Sequence, residues 1–406
     1  MISVATPVGS GSSSCGYCSP PGERSAGTSF KKAGLVASRL SCGVYQKMID
    51  KGWRRSGTYC YSPDSRRSCC PHYTIKLDAL AFKPSRSQRK LVNRWNRFIR
   101  LGDDMDIDWG RKTAPPPNPP SVFCLSSNVH LSEKAFLPET ETLHHNFEVT
   151  LEHSSHTDEK YNLYVTYQTQ IHHDPDNTPS DFKRFLVQTP LIHEAIPYSA
   201  TPPGHLPKQY GSYHQLYRID GELAALGVID ILPGCVSSVY FMYDPKWEKH
   251  SLGKLSALRE ASLAKEIHDA GVPSMTALYM GYYIHTCAKM RYKGDYSPSY
   301  LADPEDYTWH PLEFCIPLLD RYHYATFTQP EHSLESPADI EDGDGSENTE
   351  EMVEGVQAIY SVRRKALSLI PVTLTRQWED AYDRQDIISC VRALGNDLAR
   401  EIVFHM

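Results

Sequence analysis

The sequence lacks an apolar run that reads as a membrane span and a cysteine framework that reads as a disulfide scaffold. Residues 270–288 carry no charged side chain and are about the length of a bilayer helix. Gly271, Pro273, Gly281, His285 and three tyrosines interrupt the stretch, so the spanning reading fails. Residues 1–14 are rich in Gly and Ser, with no basic segment leading into an apolar one, and no secretory signal is expected. Eleven cysteines is an odd number, spread over 406 residues, which points to a reducing compartment. The expected location is the cytoplasm, with the nucleus second. No repeat at a solenoid period is present, and the composition excludes collagen-like, coiled-coil and wholly disordered classes. With 40% hydrophobic residues the chain can bury sizeable cores, in two or three domains by length.

What the sequence does have is a divided charge. The net charge is -7, but residues 1–112 carry 20 Lys and Arg against 8 Asp and Glu, and residues 113–406 carry 22 against 41. A basic head on an acidic body points to a polyanionic partner. Composition then sets the expected boundaries. Residues 1–14 read as a loose, disordered tail, and 15–112 as a basic, cysteine-rich N-terminal domain. Residues 113–121 hold five prolines and read as a semi-rigid linker, with 122–406 the body. Within it, 331–355 has ten acidic residues and no Lys or Arg, which predicts a disordered insertion.

Periodicity supplies the elements. In residues 88–101, Leu91, Val92, Trp95, Phe98 and Ile99 form one helical face, with Arg89, Lys90, Arg94, Arg97 and Arg100 around the rest. The helix reads either as core packing with a solvated charged side or as a phosphate-binding face, and the single sign of the charge favours the latter. A short strand is expected at 146–152 and helices at 159–172 and 180–187. Strands at 222–232 and 235–243 flank Pro233-Gly234, a hairpin signal. A helix over 251–269 and a β-rich segment at 274–284 follow. Strand, strand, glycine-bearing loop, helix, strand is the order of the GNAT-type α/β acyltransferase fold, a mixed sheet with flanking helices. There, N–H groups at the helix start cradle the donor's phosphates. The glycine, Gly253, is explained equally by a helix capped at Ser251.

Two cysteine pairs stand out: Cys15-Gly-Tyr-Cys18, and Cys69-Cys70 ahead of Pro71. Paired thiolates suit a soft metal. A vicinal pair departs from the doubled CxxC of zinc ribbons and leans towards an iron-sulfur cluster or a redox-responsive site. Cys42 and Cys60 have no such spacing and read as structural. Cys235 and Cys287 lack a Cys-His-Asn order, and the pairs His144-His145 and His172-His173 read as surface histidines.

With Gly52-Trp-Arg-Arg-Ser-Gly57, Cys69-Cys-Pro-His-Tyr-Thr-Ile75 and Phe82-Lys-Pro-Ser85, the head resembles the amino-terminal region of eukaryotic arginyl-tRNA-protein transferases. Tyr217-Arg-Ile-Asp-Gly221, Val228-Ile-Asp-Ile-Leu-Pro233, Ser256-Ala-Leu-Arg-Glu260 and the run from Tyr279 to Gly294 resemble the carboxy-terminal region. The resemblance covers about residues 15–100 and 140–315. It implies a GNAT-like fold and transfer of arginine from arginyl-tRNA to proteins beginning with Asp, Glu or oxidised Cys. It also implies marking of those proteins for ubiquitin-dependent degradation, and Cys15, Cys18, Cys69 and Cys70 at the family's iron-sulfur positions. No nucleotide cofactor is expected.

Such a reaction needs no covalent nucleophile, because the aminoacyl ester is already activated. It needs a neutral α-amine, and with a reference pKa of about 8 only about a tenth of it is neutral at pH 7, so a base helps. Asp230, on the apolar face of its strand, is one candidate; a buried carboxylate holding a turn is the equal alternative. An acidic first residue calls for cations beside aromatic walls. Tyr283, His285, Lys289, Arg291, Tyr292 and Lys293 supply both; Arg54 and Arg55 are second candidates and fit tRNA phosphates equally well. Lys83, Arg94 and Arg97 are the expected tRNA contacts. From another class, a non-enzymatic RNA-binding adaptor sensing metal or redox state also fits the head.

Overall fold

The structure, a computed structural model, describes residues 2–20, 23–102, 123–337, 349–363 and 366–406. The chain opens with β1 (Ser3–Ser13), β2 (Phe30–Arg39), α1 (Cys42–Asp50), β3 (Arg54–Ser56), β4 (Tyr59–Pro63), β5 (Tyr73–Asp78) and α2 (Arg86–Leu101). Next come α3 (Leu125–Val129), β6 (Phe147–His153), α4 (Asp158–Tyr167), α5 (Pro179–Phe182), β7 (Glu194–Ala195) and β8 (Gln209–Ile219). The hairpin β9 (Glu222–Ile231) and β10 (Cys235–Tyr243) leads into α6 (Leu252–Asp269), β11 (Ala277–Tyr283) and α7 (Ala288–Arg291). The remainder supplies β12 (Ser299–Ala302), β13 (Trp309–Pro311), α8 (Leu312–Arg321), α9 (Thr349–Met352), β14 (Gln357–Arg363) and β15 (Ala366–Pro371). Last are α10 (Arg376–Glu379), α11 (Ala381–Leu394), α12 (Asn396–Ala399) and β16 (Ile402–Phe404).

Among the described residues two mixed sheets form. One runs β15-β14-β16-β1-β2-β4-β3; the other runs β13-β12-β5-β11-β10-β9-β8-β6, with β7 paired to β8 off that path. No helix among the described residues is long and apolar enough to cross a membrane.

Three expectations are corrected. Residues 3–13 are not a loose tail but β1, paired to β2 and, in parallel, to β16. The Gly/Ser composition that suggests looseness serves close packing against α11: a Cβ on Gly9, whose φ is +78°, would lie 1.8 Å from Asp386 Oδ1. The basic head is not a separate domain either. Its β5 sits between β11 and β12, and Trp95, Phe98 and Ile99 of α2 join one apolar cluster with Phe147, Tyr217 and Leu252. Those side chains need the body's sheet to leave water. The stretch 331–355 is not disordered throughout: α9 and the buried Val353 lie within it, and its residues 338–348 lie outside the described residues. So does the proline-rich linker, 113–121.

The amphipathic elements appear where periodicity puts them. α2 starts with a reciprocal capping box, Ser85 with Gln88, and ends on Gly102 in the left-handed region. β9, β10 and α6 match their expected spans. The segments 159–172 and 180–187 begin as α4 and α5 and finish in π turns.

Candidate functional site

The four cysteines meet. Cys15 leaves β1 and Cys69-Cys70 lie between β4 and β5, so the pairing of β1, β2 and β4 carries both pairs to one end of the first sheet. The four sulfurs all lie within 4.8 Å of one another, with Cys18 Sγ 3.7 Å from Cys69 Sγ. Burial opposes ionisation of Cys15, but the Tyr17 amide and the neighbouring thiols outweigh it and bring that thiol below its ordinary value. Burial, with other contributions, pushes Cys69 up to about 11. Burial and the charge on Cys15 raise Cys70 further. Thiolates this close repel one another unless a cation joins them, so the donor set fits a metal. Cys15, Cys69 and Cys70 also cluster with Ile284 and Cys287, from the link between β11 and α7, and with Met290 of α7.

Beside them stand two buried cations, and a kink in β11 explains both. Between Tyr279 and Tyr282 two residues of β11 oppose one of β5, and Gly281 adopts φ +71°, a conformation that favours glycine. The carbonyls freed by this bulge become acceptors. Arg54 donates to Gly281 O at 3.1 Å and to Trp53 O at 2.6 Å, with its guanidinium 4.9 Å from the Tyr282 ring centre. Lys293 Nζ donates to Tyr282 O at 2.6 Å. Burial, reinforced by Arg54, brings the Lys293 ammonium down to about 7. Neither cation has a carboxylate partner among the described residues, and Arg54 Nε is buried without an acceptor. His72, Tyr61 and Tyr282 form the adjoining aromatic wall.

Asp230 and Arg55 are corrected. Asp230 is 0% exposed and takes Arg55 as a two-pronged partner at 2.9 and 2.6 Å, with Ser212 donating at 2.7 Å. A carboxylate enclosed by a buried guanidinium cannot collect a substrate's proton, and that guanidinium cannot read a substrate's acid. The remaining candidates divide. Tyr283 is buried, its hydroxyl 3.0 Å from His285 Nδ1, and His285 Nε2 lies 2.7 Å from Asp320, so this pair braces the loop. Lys289 and Arg291 are exposed on α7, and Lys83 is exposed ahead of α2.

A cavity of about 420 Å³ opens between the starts of α2 and α6, lined by Ser85, Gln88, Arg94, Ser251, Lys254 and Tyr292 among others. Arg94 is in the lining; Lys83 and Arg97 are not. Ser251 sits in the left-handed region and makes no side-chain capping bond, contrary to the capped-helix alternative. The first amides of α6 are thereby left without that side-chain acceptor, at the positive end of the helix dipole. Close by, β10 and β11 pair in parallel only over Cys235–Ser237 and Ala277–Tyr279.

Beyond that parting lies a residue the sequence reading missed. Glu260 is 2% exposed and accepts from Ser256 Oγ at 2.7 Å, which in turn accepts from the Tyr217 hydroxyl at 3.0 Å. Burial pushes the Glu260 carboxyl up to about 7 although Ser256 and Ser238 donate to it. Tyr292 and Tyr296, both in the cavity wall, lie within electrostatic reach of it. Its signal was the i, i+4 spacing of Ser256 and Glu260, which puts the two on one helix face. Lys254 was missed too; as a lone Lys at a helix start it carries no pattern.

A family model described as "Arginine-tRNA-protein transferase, N terminus" matches residues 13–90, and its C-terminus counterpart matches 159–303. Arginyl-tRNA–protein transferase 1 of Drosophila melanogaster is 34% identical over a 426-residue alignment covering 80% of this chain and 85% of the relative. The Arabidopsis thaliana protein of the same name is 30% identical, covering 79% and 75%. An aspartate/glutamate leucyltransferase of Pseudomonas fluorescens is 26% identical over 63% of this chain and 78% of its own. With both models matched in order and relatives aligned along most of its length, the chain belongs to the arginyl-tRNA–protein transferase family.

Proposed function

We propose that the protein transfers arginine from arginyl-tRNA to the N-terminal α-amine of proteins that begin with Asp, Glu or oxidised Cys, in the cytoplasm and nucleus, marking them for ubiquitin-dependent degradation. The observation that carries this reading is the cavity between α2 and α6, with cations and tyrosines in its wall and Glu260 behind it. The fold that goes with it is GNAT-like, a reading supported by the parting of β10 from β11 just ahead of α6.

Arg94, Lys254 and the first amides of α6 hold the phosphates at the 3′ end of the tRNA. Tyr292, exposed at the cavity's edge, offers a ring on which the terminal base stacks. The acceptor's amine nitrogen attacks the ester carbonyl carbon, the ester C–O bond breaks, and the tRNA hydroxyl leaves with a proton. Glu260 takes the proton that the amine gives up, relayed by the Tyr217 and Ser256 hydroxyls, and the same proton is passed on to the leaving tRNA oxygen, which returns Glu260 to its starting state. Arg54 and Lys293 receive the acceptor's acidic side chain. Two buried cations without a carboxylate partner are costly, and an anion from the substrate relieves that cost. The acidic preference agrees with the Pseudomonas relative, which is named for aspartate and glutamate. Cys15, Cys18, Cys69 and Cys70 would hold an iron-sulfur cluster, which when bound supplies a redox-sensitive brace for the segment carrying Lys293.

Labelled arginine, tRNA, arginyl-tRNA synthetase and peptides differing only in their first residue test the function. Label is expected in peptides beginning with Asp or Glu and not in one beginning with Gly; absence of label from all three sinks the reading.

Two further results are expected. Arg94→Ala with Lys254→Ala should weaken arginyl-tRNA binding and flatten the plot of log affinity against log salt by about 0.7–0.9 per lost phosphate contact. Filter binding from 50 to 200 mM salt reads this, and an unchanged slope removes both residues from the interface. Anaerobically prepared protein should show visible charge-transfer absorption that Cys69→Ser with Cys70→Ser abolishes. Colourless protein with stoichiometric zinc would contradict the cluster.

A further inference from the structure

We infer that His130, His205 and Glu266 form a second metal site, separate from the cysteines, for a divalent ion of the zinc type. Both imidazoles aim Nε2 at the same carboxylate oxygen: His130 Nε2 is 3.1 Å and His205 Nε2 2.8 Å from Glu266 Oε2. The three donor atoms lie within 4.8 Å of one another. Behind them is the support that metal-binding histidines commonly have. His130 Nδ1 lies 3.0 Å from Glu133 Oε1, which sets the tautomer that leaves Nε2 free to ligate. Glu133 is itself buried and held by both guanidinium nitrogens of Arg259, so the nearest cation is neutralised before a metal arrives. Ser262 donates to the other oxygen of Glu266 at 2.5 Å. The rings are locked as well, with His130 stacked on Phe136 at 3.9 Å and His205 edge-on to both.

The donor chemistry selects the ion. Two imidazoles and a carboxylate suit zinc, cobalt or nickel; calcium and magnesium prefer oxygen throughout, and copper(I) and iron-sulfur clusters prefer sulfur. A cavity of about 540 Å³ is lined by all three residues, which leaves the fourth position open to water or a ligand. The donors come from the segment after α3, the segment between β7 and β8, and α6, so a bound ion ties two long connections to the helix that carries Glu260. No short spacing announces the site, since the ligands are far apart in sequence.

The test is zinc binding to the full-length protein whose cysteine site is already loaded. Wild type should take up one more equivalent, with nitrogen and oxygen scatterers and an imidazole signature in its zinc-edge X-ray absorption. His205→Ala and Glu266→Gln should each lose that equivalent and keep the sulfur-bound metal, which also reports that the variant is folded. Should a variant lose the sulfur-bound metal too, the wild-type spectrum alone decides. Failure of wild type to bind beyond the cysteine site, or a second equivalent bound by sulfur or unaffected by both substitutions, would overturn the inference. Such a result would mean that the three side chains are held together by a proton only.

Discussion

Glu260→Gln should lower the rate of arginine transfer at saturating substrates by about 10²- to 10⁴-fold, the usual contribution of a positioned general base. The pH profile carries the sharper signature. With burial holding the carboxyl at about 7, the proton-accepting form grows as pH rises through that value. The wild-type rate should therefore climb through pH 7 and go on rising until the acceptor's own α-amine is neutral as well. In Glu260→Gln that limb should vanish, leaving only the limb set by the acceptor's own α-amine at about 8. Loss of the fold is not the expected cause. A carboxyl raised in the folded state favours folding most below its unfolded value and loses that advantage as pH rises through its folded value. Removing its ionisation therefore does not destabilise the protein at pH 8. Single-turnover rates from pH 6 to 9 check this; a variant that keeps the wild-type limb acquits Glu260 and returns the base to another group.

Asp230→Ala should cost about 3–5 kcal/mol of folding stability, because it strands the Arg55 guanidinium in the interior. Arg55 is buried with Asp230 as its two-pronged partner, and Ser212 loses an acceptor in the same substitution. Replacing both charged residues, Arg55→Met with Asp230→Leu, should recover most of the loss, since apolar pairs of similar volume often replace buried ion pairs without penalty. Urea denaturation of the three proteins measures both effects. The double variant also separates architecture from chemistry: it should transfer arginine, whereas a folded but inactive double variant would restore Asp230 to the reaction.

These two residues illustrate what was legible in the sequence. Alternation puts Asp230 on the apolar face of β9, and that much is correct. Its partner lies on β3, 175 positions earlier in the chain, and strand periodicity holds no information about which distant strand comes to lie opposite. Local chemistry fares better. The face of α2, the β9–β10 hairpin and the length of α6 follow from spacing alone, because each is decided by which side chains leave water together. The cysteines were legible by type, since few other uses explain two close pairs. β1 was misread because Ser and Gly carry no hydrophobic signal, and its stability comes from a close approach to α11 that only small residues permit. Glu260 is one charge among several on a helix with an apolar stripe, and its burial follows only from the packing of β10 and Tyr217 around it.

The position of β5 bears on how the protein is made. Leu77 pairs with Leu278 on one side and with Ser299 on the other, so the strand has no sheet to join when it leaves the ribosome. Synthesis proceeds at about 5–20 residues per second, and an apolar strand with both edges open waits through that interval as a template for wrong partners. Pairing of such distant segments is also slow once both are present. β5 therefore stays without a partner until β11 and β12, which flank it in the sheet, have both been made.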